Sequence, residues 1–351
     1  MSLEADPEHI AAISFLEQLE SDPALAERAV VTDLSGRLAL AAQLGLTFVE
    51  ADLRTVIRNW DYHGAWSRWL APGRIREAVD DLPLLEEDYL LTQTHIEAFR
   101  RDGHVLLNGV LSASELAAFR PVVRRGVANF NPENASLAER DLKAFLLVLN
   151  LRVRDAAARR FALARRFGKI AAQLLGVKAV RIYLDEAFYK EPGGGVTQWH
   201  QDLIYFPLDT DQVITLWLPL VDTSAEMGTL RFASGSHREG NLGYQPLSDD
   251  SETHFHKFIA EHGYRITPSV DMKAGEVSAH HGWVLHGAPP NSGKNSREVM
   301  ALVYYPDGTR IPEPENIYQQ HAMQYGFKKH PGELAESHIH QVVYSDGPLH
   351  N

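Results

Sequence analysis

The chain has 351 residues, of which 44% are hydrophobic and 23% charged, and its formal net charge is −12 at pH 7. These proportions are ordinary for a globular protein with a sizeable core, and the acidic balance argues against nucleic acid or an anionic membrane as a main partner. The absence of cysteine excludes disulfides, zinc–thiolate sites, iron–sulfur clusters and thiol nucleophiles, so any metal must be held by His, Asp or Glu.

The chain begins with the polar segment "MSLEADPEHI", which does not resemble a secretory signal. No apolar run approaches the ~18–20 residues that a membrane span needs. Both features predict a cytoplasmic protein without a membrane partner.

Residues 1–70 are predicted to form a helical subdomain. In "HIAAISFLEQLESDPALAERAV" the apolar residues recur three and four positions apart, as one buried helix face requires. "TFVEADLRTVIRNW" has Thr47 and Glu50 in capping-box spacing just after Gly45, which predicts the end of one helix and the start of the next. We expect three short helices in a small bundle, followed by a connector at 71–90 that is rich in Pro, Gly and charge.

Residues 91–351 are predicted to form the main domain, which begins with helices. "LTQTHIEAFRRDG" is an amphipathic helix that ends at Gly103, and "SASELAAFRPVVRRGV" begins with Ser112 and Glu115 in capping-box spacing. Another helical stretch is expected from about 155 to 175.

Strand signals dominate the rest of this domain. Six segments rich in aromatic and β-branched residues are separated by Gly, Pro, Asp and Asn: "KAVRIYLDEAFYK", "VTQWHQDLIYF", "VITLWLPLVD", "TLRFASGS", "GEVSAHHG" and "REVMALVYY". Strands spaced in this way are typical of a sandwich or jelly roll, so the fold class is α+β. The polar segment 238–268 has no clear period, and we expect a long loop there.

One strand segment, "GVTQWHQDLIYFPLD", contains a histidine and an aspartate two positions apart. Residues two apart on a strand face the same side, so His200 and Asp202 could offer a nitrogen and an oxygen to one point. Taken alone, this alternation also fits a solvated strand face. A later segment, "AGEVSAHHGWVLHGAPPNSGKNSREVMALVYY", supplies three histidines and an arginine: His280, His281, His286 and Arg297. Two histidines and one carboxylate suit non-haem Fe(II), and an arginine can hold a carboxylate in a two-bond fork.

Residues 91 to about 305 resemble the phytanoyl-CoA dioxygenase family of Fe(II)/2-oxoglutarate oxygenases. The matching pieces occur in order: "LTQTHIEAFRRDGHVLLNGVLSASEL", "FYKEPGG", "TQWHQDLIYFPLD", "LRFASGSHREG" and "LHGAPPNSGKNSR". The family pattern is His-x-Asp, then a histidine in an "HG…PN" context, then an arginine about eleven positions later. Arg297 follows His286 by eleven positions.

This resemblance implies a double-stranded β-helix, or jelly-roll, core with flanking helices and the N-terminal helical subdomain. It implies that His200, Asp202 and His286 bind Fe(II) and that Arg297 binds the C5 carboxylate of 2-oxoglutarate. Dioxygen is the other co-substrate that the resemblance implies.

Further residues are assigned by the same resemblance. Lys190 falls where the family often has a lysine near the co-substrate, and Trp217 falls at a tryptophan near the iron. Ala288 stands where relatives often have a serine, so one hydrogen bond to the co-substrate is expected from elsewhere. His280 and His281 are interpreted as neighbours of the site or surface residues, and His237 as a turn residue. None of these three histidines is expected to be a ligand.

The implied activity is hydroxylation of an unidentified small organic substrate of secondary-metabolite, amino-acid or acyl type, with release of succinate and CO2. Related halogenating enzymes have Ala or Gly at the aspartate position, so the presence of Asp202 favours hydroxylation over halogenation. Two alternatives remain: a metal-binding jelly roll that acts as a sensor or scaffold, and a metal-assisted hydrolase, because zinc accepts the same ligands. Arg297 counts against both, since neither needs a carboxylate clamp.

The N-terminal region has a resemblance of its own. "FLEQLESDPALAERAV" followed by "LALAAQLGLTF" is similar to the helical Nif-eleven leader-peptide-like domain. This similarity implies that residues 1–70 recruit a protein or peptide partner. The alternative is a bundle that supports the barrel or forms a dimer contact.

Overall fold

Two antiparallel β-sheets form the centre of the protein. The computed structural model describes residues 7–30, 32, 34–60, 66, 79–130 and 146–347. These ranges exclude part of the predicted connector, residues 71–78. The strands are β1 (His104–Leu107), β2 (Leu146–Leu149), β3 (Ala179–Lys190), β4 (Thr197–His200), β5 (Ile214–Pro219), β6 (Arg231–Phe232), β7 (Val277–His281), β8 (His286–Ala288), β9 (Arg297–Pro306) and β10 (Val342–Ser345).

The strands are ordered as in a jelly roll. The larger sheet has the order β1-β7-β5-β9-β3-β10, with β2 also paired to β3, and the smaller sheet has the order β4-β8-β6. Every strand pair in both sheets is antiparallel. Most strands that are neighbours in a sheet are distant in sequence. For example, Glu186 of β3 lies opposite Ala301 of β9.

Helices cover one face of the larger sheet, and its other face lines the interior. The α-helices described after residue 90 are α5 (Gln93–Asp102), α6 (Ala113–Phe130), α7 (Leu151–Arg154), α8 (Ala156–Ala162), α9 (Arg165–Leu175), α10 (Asp249–Glu261) and α11 (Ile317–His321). Leu216 and Leu302 belong to the core that includes residues of α6, α8 and α9. The adjacent Trp217 and Ala301 belong to a separate interior cluster with Phe232 of the smaller sheet. Burial on both faces explains why β5 is apolar at nearly every position.

The predicted end of α5 and the predicted start of α6 are confirmed. Gly103 follows α5 with φ of 78°, a left-handed conformation that glycine adopts without steric cost. The Ser112 backbone N–H donates to Glu115 Oε2 at 2.8 Å, and the Glu115 N–H donates to Ser112 Oγ at 3.3 Å. This reciprocal pair is the predicted capping box. The predicted helical stretch at 155–175 is also present, as α8 and α9.

In its described residues, the N-terminal region has four helices where three were predicted. They are α1 (Pro7–Ser21), α2 (Pro23–Val30), α3 (Leu34–Gln43) and α4 (Glu50–Trp60). The first predicted helix is divided because Asp22 Oδ1 accepts hydrogen bonds from the N–H groups of Ala24 and Leu25, and Pro23 starts a new helix. The predicted cap at Thr47 is also wrong: α4 begins at Glu50, and the Val49 N–H donates to Asp52 Oδ2 at 2.8 Å.

These four helices enclose their own apolar core and also contact later parts of the chain. Phe15, Leu16 and Leu53 are almost fully buried in that core. Trp66 joins it and contacts Tyr325, with ring centroids 6.3 Å apart. None of the helices in the described part of the chain has the length and apolarity needed to cross a bilayer.

The segment 238–268 is not the long loop that was predicted. Its centre forms α10, which is capped by Ser248 through a hydrogen bond from the Ser251 N–H. The helix buries only Ser251, Phe255 and Ile259, four positions apart, and its remaining surface is polar or faces solvent. This narrow apolar stripe explains why the sequence shows no clear helical period.

A buried ion pair holds the helical layer to β3. Arg152 donates to Asp185 Oδ1 at 2.6 Å, and its guanidinium also donates to the carbonyls of Tyr183 and Ile339. Both side chains are almost fully buried, at 1% and 0% exposure. Breaking a buried pair leaves one charge without compensation, which typically costs ~3–5 kcal/mol.

We therefore expect Asp185→Ala to lower the free energy of unfolding by about 3–5 kcal/mol, measured by urea denaturation. The matched control is Asp88→Ala, which breaks the exposed pair with Arg165 and should change the midpoint little. Similar midpoints for the two variants would contradict this role for the buried pair.

Candidate metal centre

Three predicted ligands, His200, Asp202 and His286, meet between the two layers. His200 at the end of β4 lies directly opposite His286 at the start of β8. Asp202 is not on the strand, as the spacing had suggested, because β4 ends at His200 and Asp202 has helical dihedral angles of −68° and −45°. A turn, rather than strand alternation, therefore brings the carboxylate beside the two imidazoles.

The ligand atoms of these residues are close enough to share one ion. Asp202 Oδ1 lies 3.4 Å from His200 Nε2 and 3.4 Å from His286 Nε2. One donor atom from each residue lies within 4.8 Å of the others. Within the described ranges, this is the one group of three or more His, Asp or Glu side chains that is placed to hold a metal.

Hydrogen bonds fix the orientation of both rings. His200 Nδ1 is 2.7 Å from the Gln198 carbonyl, and His286 Nδ1 is 3.0 Å from the Val284 carbonyl. Since a carbonyl only accepts, Nδ1 carries a proton in each ring, which makes Nε2 the atom that can offer a lone pair to a metal. Both lone pairs face Asp202, which is the arrangement that metal-binding histidines use.

The two oxygens of Asp202 have different partners. Oδ2 accepts hydrogen bonds from Thr215 Oγ1 at 2.7 Å and from His280 Nε2 at 3.2 Å. Oδ1 is left facing the two imidazoles. Thr215 and His280 are opposite each other in the β5–β7 ladder. Two residues of the larger sheet therefore hold the Asp202 carboxylate in place.

The electrostatics suit a cation at this point. Burial raises the pKa of Asp202, but His286, His200 and His280 outweigh it and hold that pKa well below its usual value. Burial, assisted by repulsion from His200, holds the pKa of His286 well below its usual range. An ionised carboxylate and a neutral imidazole are the protonation states in which these groups bind metals.

Gln201 fixes the turn between the two ligands, a role that the sequence did not indicate. Its side chain is 1% exposed. Its amide nitrogen donates to the carbonyls of Gly240 and Trp283 at 2.8 and 2.7 Å, and its oxygen accepts from the Leu242 N–H. A buried amide with these partners holds the backbone on both sides of it in a single conformation.

The helix α10 supports the same strand from outside. Glu252 Oε2 accepts from the Trp199 backbone N–H at 2.8 Å, and the Trp199 indole donates to His256 Nε2 at 3.2 Å. The segment predicted to be a loop over the site is thus a helix bound to the strand that carries His200.

A buried cationic pocket lies beyond the three ligands. Arg297 is fully buried, and its Nη1 donates to the Gly228 carbonyl. Its Nε and Nη2 atoms have no hydrogen-bond partner among the described residues. The guanidinium carbon lies 5.1 Å from the ring centroid of Phe188 and 5.4 Å from that of Trp217. Burial lowers the pKa of Arg297 to about 9, which reflects a charge without a counter-ion.

Lys190 adds a second cation beside the first. It is opposite Arg297 in the β3–β9 ladder, and its Nζ donates to Thr197 Oγ1 at 3.0 Å and to the Pro289 carbonyl at 3.1 Å. Burial and the neighbouring Arg297 lower the pKa of Lys190 to about 6. Two buried basic groups without an acidic partner in the described part of the chain form a site for an anionic carboxylate, whose charge would favour protonation of Lys190.

Other predicted positions fall around this pocket. The Trp217 indole N–H is buried without a partner among the described residues. Ala288 is paired with Thr197 across the β4–β8 ladder. The hydroxyl of Thr197 therefore lies beside position 288, where the alanine side chain has no hydroxyl. His281 and His237 lie outside the cluster, with ring centroids 5.2 Å apart.

The fold and this site define a jelly-roll protein with a two-histidine, one-carboxylate centre, and comparison with known proteins identifies its family. The family model described as phytanoyl-CoA dioxygenase (PhyH) matches residues 99–299, which is more than half of the chain. The protein belongs to the phytanoyl-CoA dioxygenase family.

Two curated relatives show how far the sequence likeness extends. Phytanoyl-CoA dioxygenase 1 of Oryza sativa subsp. japonica is 30% identical over 115 residues, which cover 32% of this chain and 41% of the relative. The probable alpha-ketoglutarate-dependent hypophosphite dioxygenase of Stutzerimonas stutzeri is 26% identical over 132 residues, which cover 36% of this chain and 45% of the relative. The chain thus spans less than half the length of either relative.

Solved structures extend the likeness over most of the chain. The non-heme alpha ketoglutarate dependent carbocyclase SnoK has a TM-score of 0.60 at 21% identity, covering 77% of this chain and 99% of SnoK. EctD from S. alaskensis with 2-oxoglutarate and 5-hydroxyectoine has a TM-score of 0.54 at 20% identity, covering 71% of this chain and 86% of EctD. At these identities the likeness establishes the fold, and the predicted jelly roll is confirmed.

Proposed function

We propose that the protein is an Fe(II)- and 2-oxoglutarate-dependent dioxygenase that hydroxylates a small organic substrate. The observation that carries this proposal is the fully buried Arg297, whose guanidinium has two nitrogen atoms without partners in the described residues. A sensor, scaffold or hydrolase has no use for such a group, whereas a 2-oxoglutarate enzyme needs a cation at the distal end of its co-substrate. Membership of the family supports the same conclusion.

Iron binding is assigned to His200 Nε2, His286 Nε2 and Asp202 Oδ1. These atoms present two imidazoles and one carboxylate, a donor set that suits non-haem Fe(II) and leaves positions open for other ligands. When bound, iron and 2-oxoglutarate supply the oxidising chemistry, in which dioxygen is consumed, succinate and CO2 are released, and a substrate C–H bond becomes C–OH. The residues behind the ligands, Thr215 and Gln201, keep the donor atoms in place.

Binding of the C5 carboxylate of 2-oxoglutarate is assigned to Arg297 and Lys190. The planar guanidinium can donate two parallel hydrogen bonds, and Lys190 becomes favourably charged once an anion lies beside it. Thr197 Oγ1 accepts from Lys190 and still has its own proton to donate, so it can provide the hydrogen bond that Ala288 lacks. Trp217 and Phe188 form the apolar walls that exclude water from the clamp.

The direct test of the proposed function is co-substrate turnover. The purified protein with Fe(II) and dioxygen should convert 2-oxoglutarate to succinate slowly without substrate, and chelation of the iron should stop this conversion. Zinc in place of iron should give no succinate. Iron binding without any succinate would favour the sensor or scaffold, and activity with zinc would favour the hydrolase.

The presence of Asp202 also leads us to propose oxygen transfer in preference to halide transfer. The carboxylate fills a position that a halide would otherwise need. With a substrate in hand, turnover in high chloride should therefore give products that carry oxygen from labelled dioxygen.

The predicted cytoplasmic location is likewise a proposal, and cell fractionation tests it.

We propose that the helical residues 1–70 are a separate domain that recruits a protein or peptide partner, joined by the connector at 71–90 to the oxygenase domain at 91–351. Support comes from the separate apolar core of the four helices. The alternative, a structural bundle, is favoured by the Trp66–Tyr325 contact and by a hydrogen bond of 3.3 Å from Arg154 to the Ile57 carbonyl.

Truncation distinguishes these two roles. If residues 1–70 are a recruitment domain, a chain of residues 76–351 should remain folded and convert 2-oxoglutarate to succinate at the full-length rate. The truncated chain should keep its thermal transition. A second truncated chain that carries Tyr325→Ser is the control, because truncation exposes the apolar surface around Tyr325. An insoluble chain, or one without a thermal transition in both versions, would identify the helices as structural.

A further inference from the structure

An acidic side chain that the metal centre does not use lies on the interior face of β3. Alternate residues of a strand face the same side. Lys190 donates to Thr197 of the smaller sheet and Phe188 lies against Arg297, so both side chains point into the sandwich. Glu186, two positions further along, shares this face. The ladder places Glu186 opposite Ala301, which is itself opposite Trp217.

The carboxylate of Glu186 has no partner among the described residues. Within those ranges it forms no hydrogen bond and no ion pair, and its oxygens are not sealed from solvent. The preceding residue, Asp185, shows the contrast: it points to the opposite face and is fully paired with Arg152. A partly buried carboxylate with accessible oxygens and no donor is suited to a ligand that brings donors.

Glu186 lies close to the metal ligands without being one of them. Burial and, to a smaller extent, the charge of Asp202 raise the pKa of Glu186 to about 8, while His200 opposes this rise. The sheet gives the same placement: Glu186 lies in one row with Ala301 and Trp217, and Thr215, two positions from Trp217 on the same face, donates to Asp202. It is not part of the cluster of donor atoms within 4.8 Å, which in the described ranges consists of His200, Asp202 and His286.

A second polar group near Asp202 also lacks a partner in the described ranges. The Tyr205 hydroxyl is buried and unbonded within this part of the chain. Burial, two neighbouring tyrosines and the charge of Asp202 raise its pKa. Its ring packs edge-on against Tyr244 and Tyr318, with centroids 6.0 and 5.4 Å away. The faces of aromatic rings attract organic cations, so these three rings suit a ligand of that class.

We propose that Glu186 binds a positively charged amino group of the substrate and thereby holds an adjacent C–H bond at the metal centre. This inference rests on the proposed oxygenase function and narrows its substrate to amines. An ammonium group would supply the donors that the Glu186 carboxylate lacks, and its positive charge would favour the ionised form of Glu186 beside Asp202. An anionic group at the same point would be repelled by Asp202 and would disfavour the ionised form of Glu186.

The test uses the full-length protein loaded with Fe(II) and 2-oxoglutarate under argon. Straight-chain primary amines, and the alcohols and carboxylic acids of matched length, are titrated against it by calorimetry and by the change in the iron–2-oxoglutarate charge-transfer absorption. We expect the amines to bind roughly ten- to a hundredfold more tightly than the matched alcohols, the range of one charged hydrogen bond. Glu186→Gln, which keeps the shape and removes the charge, should abolish this preference.

Two comparisons separate a direct contact with Glu186 from a general effect of charge and from ligation of iron by the amine. Glu261→Gln removes an equal charge from an exposed position on α10 and should keep the amine preference. An amine that ligates iron directly would keep its preference in Glu186→Gln, which would overturn the proposal. A wild-type protein that shows no preference for amines, or that binds none of the compounds, would overturn it too.

The same titrations distinguish the failure of this inference from that of the proposed function. Loss of iron or 2-oxoglutarate binding in Glu186→Gln alone would identify Glu186 as part of the metal site and would contradict its role in substrate binding. Failure of the wild-type protein to bind iron and 2-oxoglutarate would contradict both proposals. Intact binding of both without an amine preference would contradict only the role of Glu186.

Discussion

Replacing His286 by alanine is expected to abolish the conversion of 2-oxoglutarate to succinate and to weaken Fe(II) binding severely. The ring supplies one of three donor atoms, and its Nε2 lies 3.4 Å from Asp202 Oδ1. Residues that only orient ligands typically contribute ~10–100-fold in metal affinity, so loss of a ligand should exceed that range. The same result is expected for His200→Ala and Asp202→Ala, measured by iron titration under argon and by succinate release.

The matched control is His281→Ala, because this histidine is near the site but outside the cluster. Its Nδ1 accepts a hydrogen bond from the Trp283 N–H and does not face Asp202. His281→Ala should keep iron and activity. His280→Ala removes a hydrogen bond to Asp202 Oδ2 and should have an intermediate effect. If His281→Ala loses iron while His286→Ala keeps it, the assignment of the third ligand is wrong.

Replacing Arg297 by lysine should raise the apparent KM for 2-oxoglutarate while iron binding survives. Lysine keeps the positive charge but cannot form the two parallel hydrogen bonds of a guanidinium. A charged hydrogen bond contributes ~1.5–3 kcal/mol, which corresponds to roughly a ten- to hundredfold rise in KM. Steady-state succinate release at varied 2-oxoglutarate measures this effect.

An exposed arginine provides the control for the same substitution. Arg165 pairs with Asp88 at the surface, and Arg165→Lys should leave the KM unchanged. An unchanged KM in Arg297→Lys would remove Arg297 from the co-substrate site. A rise in KM accompanied by loss of iron would instead indicate that the substitution disturbs the interior of the sandwich.

Local chemistry allowed several features to be predicted from the sequence. The Ser112–Glu115 capping box and the stop at Gly103 each depend on residues that are close in the chain. The strand segments were recognisable because β-branched and aromatic residues are concentrated in them. The division at Asp22–Pro23 was also readable in principle, since both residues are strong helix-start signals, but the surrounding apolar period concealed it.

Features that depend on distant residues could not be predicted. The partners of Gln201, the carbonyls of Gly240 and Trp283, come from segments that only the fold brings together. The position of Asp202 in a turn depends on these contacts and not on strand alternation. The sequence around Glu186 does not indicate its role, because the environment of Glu186 is formed by β5, β9 and the metal ligands. The roles of the ligands and of Arg297 stay predictions until metal and co-substrate binding are measured.

The most direct test of the central claim is an anomalous-scattering map at the iron edge from crystals prepared under argon with Fe(II) and 2-oxoglutarate. We predict one iron peak within bonding distance of His200 Nε2, Asp202 Oδ1 and His286 Nε2, together with 2-oxoglutarate density whose far carboxylate meets Arg297. An iron peak held by other side chains, or iron at this site with no 2-oxoglutarate density beside Arg297, would contradict the proposed oxygenase.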